Sequence, residues 1–136
     1  MSPLWLSLEV ALLALVHIIV VGLLLNYILK RYDVKGKALI DSVLTLPLVL
    51  PPVVVGFALL VIFSPGGAFG AWLQSIGIQV VFSKMGAVLA SSIIGFPLFY
   101  QTVRAALSSI DPAVEDVART LGASEVRIFF TISIPL

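Results

Sequence analysis

Four of the seven carboxylates of this chain lie near its C-terminal end, in the segment 111–136. Carboxylates there could serve acid–base catalysis or metal binding. However, cysteine is absent and His17 is the only histidine, which excludes a thiolate site and a multi-histidine metal centre within one chain. We expect no catalytic centre, metal or cofactor, and instead expect this segment to bind a partner. Its charged residues are Asp111, Glu115, Asp116, Arg119, Glu125 and Arg127.

A short amphipathic helix is predicted at the start of this segment. Asp111 suits the N-cap and Pro112 the first turn. The opposite, polar face is expected to carry Glu115, Asp116 and Arg119, with Glu115 and Arg119 spaced for an ion pair. Apolar residues recur at i, i+3, i+4 and i+7, as one helix face requires. They are Val114, Val117, Ala118 and Leu121.

A second helix is predicted after a glycine stop. Gly122 supplies the left-handed turn, Ser124 can cap a helix that begins at residue 125, and Pro135 marks its end or a bend. An amphipathic helix on a membrane surface carries an excess of Lys and Arg. Acidic residues outnumber basic ones here, so a protein partner fits this segment better than anionic lipid.

The rest of the chain is typical of a membrane protein. It is 60% hydrophobic and 11% charged, with mean hydropathy +1.18, whereas a soluble domain is about a quarter charged. Three segments are long and apolar enough to cross a bilayer, at about 4–29, 38–63 and 86–107. The sequence therefore predicts an all-α polytopic membrane protein, three transmembrane helices followed by the helix pair.

The distribution of positive charge predicts the orientation. Of the eight Lys and Arg residues, all but Lys84 lie on one side of these spans, and that side is expected to be cytoplasmic. The N-terminus and the 64–85 connection would then face outward, and the 111–136 segment would lie in the cytoplasm. The net charge of +1 gives no indication of nucleic-acid binding, and we expect none.

The second span contains three prolines, Pro47, Pro51 and Pro52. Each lacks a backbone donor and disturbs the preceding turn, which lipid tolerates only where the break is packed in protein or lines a cavity. Two interpretations stay open: a broken helix beside a translocation path, or a kinked structural helix in a bundle.

The third span carries Ala87, Ser91 and Gly95 at four-residue spacing, followed by Pro97. Small residues on one stripe let helices approach closely, so tight helix packing is favoured over a role in lining a path. Gly95 and Pro97 are nevertheless candidates for such a path.

Few polar residues lie inside the spans. His17 is the ionisable group nearest mid-membrane, where such groups often serve function. It is either part of a path or gate, or a hydrogen-bonding residue that faces the bundle. Asp41, near the inner end of the second span, could pair with Lys37.

The helix pair resembles the cytoplasmic loop of the integral membrane subunits of ABC importers. That loop reads Glu-Ala-Ala, three residues, Gly, nine residues, then Ile-x-Leu-Pro. In this chain Asp116-Val117-Ala118, Gly122 and Ile132-Ser133-Ile134-Pro135 occur at the same spacing. The departures are Asp for Glu, Val for Ala and Ile for Leu.

The resemblance extends over 37–136, which is similar to the molybdate permease family, with the sulfate/thiosulfate permeases as near relatives. It implies a multi-pass subunit of a bacterial or archaeal plasma membrane, in contact with lipid and not itself an enzyme. The implied partners are ABC ATPase subunits, a second permease copy and an extracytoplasmic oxyanion-binding protein. The implied ATPase-coupling residues are Glu115, Asp116, Val117, Ala118, Arg119, Gly122, Ile132, Ile134 and Pro135.

Further membrane helices follow this loop in the family, and three spans are too few to enclose a path. The resemblance therefore suggests a truncated subunit: a fragment, a shortened reading frame or one part of a split subunit. Two other functions stay open, a sulfate/thiosulfate permease and a membrane adaptor that only tethers a soluble partner.

Overall fold

The computed structural model describes residues 2–32 and 35–135 of the 136-residue chain. Regular structure within these ranges is helical throughout, which confirms the all-α prediction. A π-helical turn, π1, follows the last α-helix at Phe129–Ser133. The α-helices in chain order are α1 (Pro3–Arg31), α2 (Lys37–Val49), α3 (Pro52–Phe63), α4 (Ala68–Ser75), α5 (Lys84–Ser108), α6 (Pro112–Thr120) and α7 (Glu125–Ile128).

Two helices, α1 and α5, are each long and apolar enough to cross a membrane. The segment predicted as the second span forms α2 and α3, which meet at a bend of 114°. The break lies at Leu50 and Pro51, whose ψ angles of 143° and 140° are extended. A residue that precedes proline avoids the helical region, and each of these two precedes one. Pro47 lies inside α2 without ending it.

The α1–α5 pair forms the main packing contact of the described chain. Gly22 of α1 lies against Phe99 of α5, where a β-carbon would come within 2.5 Å of the ring. Gly95 lies on the same contact, facing Ile18. Missing side chains thus let the two helices approach closely.

The small-residue stripe of α5 takes part in this contact over part of its length. Gly95 faces α1, and the neighbouring Ser92 is buried, but Ala87 and Ser91 are exposed. Pro97 is buried within α5. The prediction of close packing therefore holds around Gly95, while Ala87 and Ser91, nearer the start of α5, are not covered by the described chain.

Candidate functional site

The helix α6 has well-defined ends. The Asp111 carboxylate accepts a hydrogen bond from the Ala113 N–H at 2.9 Å and caps the first turn, as the sequence predicts. At the other end Gly122 has φ +85°, a conformation that costs a residue with a β-carbon about 1 kcal/mol or more. The Ala123 N–H then donates to the Ala118 carbonyl at 3.1 Å, which closes the helix. The helix is therefore short and rigid.

The apolar face of α6 is mostly uncovered. Val117 is 59% exposed and Leu121 is 83% exposed, and Val114 is also exposed, whereas Ala118 is buried. Covering apolar area is worth about 25 cal/mol per Å². The face therefore offers a partner a favourable contact that the described chain does not itself use.

The second helix of the pair differs from its prediction. Ser124 caps it as expected, accepting from the Arg127 N–H at 3.3 Å. However, α7 ends at Ile128 and continues as π1, in which the Ile134 N–H donates to the Phe129 carbonyl. Pro135 lacks an N–H and cannot extend the ladder. Within the motif ending, Ile132 is partly exposed, and Ile134 and Pro135 are exposed.

Glu115 corrects the prediction of a polar outer face, because only 6% of its surface is exposed. Its carboxylate forms an ion pair with Lys30 at the end of α1. It also accepts a hydrogen bond from the Ser133 hydroxyl of π1 at 2.7 Å, and the predicted partner Arg119 lies 3.7 Å away. A buried carboxylate is costly unless it is paired in this way. Glu115 of α6 therefore joins α6 to the end of α1 and to π1.

Arg119 fastens α6 to α7. Its guanidinium binds Asp116 at 2.7 Å and Glu125 at 2.6 Å. The hydrogen bond from Arg119 lowers the pKa of Glu125 and, in return, bonds to both carboxylates raise the pKa of Arg119. These side chains are 35–69% exposed, so water screens the ion pairs, and the network orients the two helices more than it stabilises them.

The charge state of Glu115 follows from opposing effects. Burial by itself raises the pKa of this carboxyl, but the hydrogen bonds from Lys30 and Ser133 and the charges of Lys30 and Arg119 outweigh burial and leave the pKa below its usual value. The side chain is therefore a carboxylate at neutral pH.

The ion pair of Glu115 makes stability depend on pH. A folded-state pKa below the unfolded value of 4.5 means that the pair stabilises the fold above that pH. This contribution is lost as the pH falls through the lowered pKa. At neutral pH we expect Glu115→Gln to lower the free energy of unfolding by about 1–2 kcal/mol. In thermal unfolding in detergent, the deficit of the variant should shrink as the pH is lowered below 4.5. A deficit that stays constant with pH would contradict this assignment.

The path candidates do not form one cluster. His17 and Pro47 line the same apolar groove of about 300 Å³ between α1, α2 and α5, but Pro51 and Pro52 lie exposed at the α2–α3 break. His17 lines this groove and is also exposed on α1, so both interpretations, a path or gate residue and a hydrogen-bonding residue that faces the bundle, stay open. Within the described residues, its ring makes no hydrogen bond.

A polar contact that the sequence did not reveal joins α2 to α5. Asp41 accepts a hydrogen bond from the Tyr100 hydroxyl at 2.6 Å and pairs with Arg104 at 2.7 Å. The expected pairing of Asp41 with Lys37 is therefore wrong. The partners come from another helix, and nothing in the local sequence marks them.

Among the described residues, no three His, Cys, Asp or Glu side chains lie together in a way that could hold a metal ion.

Comparison with known proteins assigns the fold and the helix pair to a family. Residues 18–136 match the family described as "Binding-protein-dependent transport system inner membrane component". The match covers most of the chain, so the chain belongs to this family of multi-pass plasma-membrane transport subunits.

Three relatives within this family show which transport proteins the chain is similar to. The chain is 48% identical over 132 residues to the molybdenum transport system permease protein ModB of Escherichia coli K12, covering 96% of this chain and 58% of ModB. It is 43% identical over 136 residues to ModB of Haemophilus influenzae, covering 99% and 59%. It is 36% identical over 135 residues to the probable sulfate transport system permease protein cysT of Nephroselmis olivacea, covering 99% and 48%. The chain thus spans less than two thirds of the length of these relatives.

Proposed function

We propose that this chain is part of the transmembrane permease subunit of an ATP-driven importer of an oxyanion, with molybdate as the substrate. The observation that carries the proposal is α6, a helix capped at both ends whose exposed apolar face carries Val117 and Leu121. Its motif lies within a chain matched over 96–99% of its length by molybdenum transport permeases.

The proposed role of α6 is to dock an ABC ATPase subunit. The apolar face enters the ATPase surface, while Asp116 and Arg119 form the polar edge of the contact. ATP binding draws two ATPase subunits together, and the helix moves with its ATPase because the caps at Asp111 and Gly122 keep it rigid. Glu115, Ala118, Ile132, Ile134 and Pro135 complete the proposed coupling segment.

The proposed topology places α6 in the cytoplasm and the N-terminus outside, following the distribution of Lys and Arg. A second permease copy, surrounding lipid and an extracytoplasmic oxyanion-binding protein complete the assembly. The α2–α3 break and the groove at His17 and Pro47 are the proposed path elements. Gly95 and Pro97 of α5 lie on the neighbouring helix and are included with them.

Two other functions are tested alongside this one. A sulfate permease is supported by the 36% identity to a probable sulfate permease. A membrane adaptor would use the same α6 face to tether a soluble protein without transport.

The test combines capture with uptake. The chain, as part of a complete permease subunit, is expressed in bacteria that lack their own molybdate permease but retain the matching ATPase and binding protein. We expect ATPase to co-purify with the chain and labelled molybdate to enter faster than labelled sulfate. Faster entry of sulfate than of molybdate favours a sulfate permease. Capture of the ATPase without uptake of either oxyanion favours a membrane adaptor. If Gly122→Pro combined with Asp116→Lys captures as much ATPase as the natural chain, the proposed docking role is wrong.

A further inference from the structure

The helix α6 is attached to the membrane helices at two points. Its covalent attachment is the short link 109–111, which follows α5 directly. Its second attachment is the ion pair of Glu115 with Lys30 at the end of α1. Beside this pair, Tyr27 of α1 packs edge-on against Phe129 of π1 with ring centroids 5.0 Å apart. Since α1 packs along α5, the three helices form a closed loop of contacts.

The two attachments differ in what they restrict. A short link between two helices fixes the position of the helix start but lets the helix turn about it. A second point of contact, away from the link, removes that rotation. Glu115 lies a turn into α6, and the residue it binds comes from 85 positions earlier in the sequence. The second attachment is therefore a tertiary contact that fixes the orientation of α6.

The contact at Glu115 depends on its polar partners. A cavity of about 470 Å³ lies beside it, walled by polar and apolar groups alike. The ring contact of Tyr27 with Phe129 joins α1 to π1, whereas among the described residues the bond that joins α1 to α6 itself is the ion pair of Lys30 with Glu115. The Ser133 hydroxyl supplies the other close bond to the carboxylate, so α1, α6 and π1 meet at one buried group.

We propose that Lys30 and Glu115 are positioning residues that lock α1 to α6, so that displacement of α6 moves α1 together with α5. The inference rests on the proposed function, in which an ATPase subunit displaces α6. With the lock intact, the displacement reaches the path through two membrane helices. Without it, α6 turns about the 109–111 link and part of the displacement is lost.

The test measures oxyanion transported per ATP hydrolysed in proteoliposomes that contain the chain within its complete transporter, with ATPase and binding protein. In Lys30→Met we expect this ratio to fall by about fivefold or more, the size of a typical coupling between sites, while ATPase capture persists. Lys30→Arg keeps the charge and should restore the ratio. Lys84→Met is the matched control, because it breaks the Glu9–Lys84 pair that joins the other ends of α1 and α5.

The results separate the inference from the function on which it rests. A Lys30→Met ratio equal to that of Lys84→Met, in a transporter that captures ATPase and moves oxyanion, overturns the inference alone. Failure of the natural chain to capture ATPase overturns the proposed function, and the coupling role of Lys30 with it. If Lys30→Met does not fold, Ser133→Ala removes one hydrogen bond to Glu115. That variant should also lower the ratio, and an unchanged ratio counts against the lock.

Discussion

Leu121→Asp is expected to abolish capture of the ATPase, with a loss in affinity of about thirtyfold or more. The side chain is 83% exposed at the end of α6, and the proposed docking would bury it. A carboxylate at that position would have to lose its water without gaining a partner. Central apolar anchors of an interface contribute about 2 kcal/mol or more each, which corresponds to the expected loss.

The same variant should leave the fold intact. The Leu121 side chain is largely surrounded by solvent, and the backbone bond from its N–H to the Val117 carbonyl does not depend on side-chain type. A pull-down with purified ATPase and a thermal unfolding curve on the same sample measure the two effects separately. Val117 lies on the same face, so we expect Val117→Asp also to lose ATPase capture and to keep its fold.

Phe82→Asp is the matched control for Leu121→Asp. Phe82 is 98% exposed and lies between α4 and α5, in the connection proposed to face outward. Its φ of +56° is a conformation that Asp adopts more readily than Phe. This control should therefore fold and capture ATPase normally. Normal capture by Leu121→Asp would mean that the ATPase binds another surface.

The sequence predicted the parts of this site that depend on local signals. The N-cap at Asp111, the left-handed Gly122 and the cap at Ser124 are all present. Each is determined by a few adjacent residues, and these signals do not require knowledge of the fold. The proline break between α2 and α3 was predictable for the same reason, although the bend angle was not.

The tertiary contacts of this site could not be predicted from the sequence. The apolar pattern of α6 assigns Glu115 to the solvent side, but the end of α1 covers that side and supplies Lys30. Asp41 likewise finds Arg104 on α5 instead of the nearby Lys37. In both cases the partner is far away in sequence, and helix periodicity shows which face a residue occupies without showing what covers that face.

Gly22→Val is expected to destabilise the α1–α5 contact by about 1–3 kcal/mol, the usual cost of overpacking. A β-carbon at this position would lie 2.5 Å from the Phe99 ring, so the ring or the helix must move. The neighbouring Asn26 amide donates to the Gly22 carbonyl at 2.9 Å and to the Tyr100 backbone carbonyl at 3.5 Å. Separation of the helices would also stretch the longer bond.

The Gly22 prediction is checked by thermal unfolding in detergent, with Gly56→Val as the control because a β-carbon there meets open space. Combining Gly22→Ala with Phe99→Ala tests directly whether the clash with the Phe99 ring causes the loss of stability. If the ring is the obstacle, the glycine substitution should cost about 1 kcal/mol less in the Phe99→Ala background than alone. Equal costs in both backgrounds would show that the close approach is not what Gly22 provides. The intrinsic helix propensities favour valine over glycine, and the Gly56→Val control measures that contribution independently of the close approach.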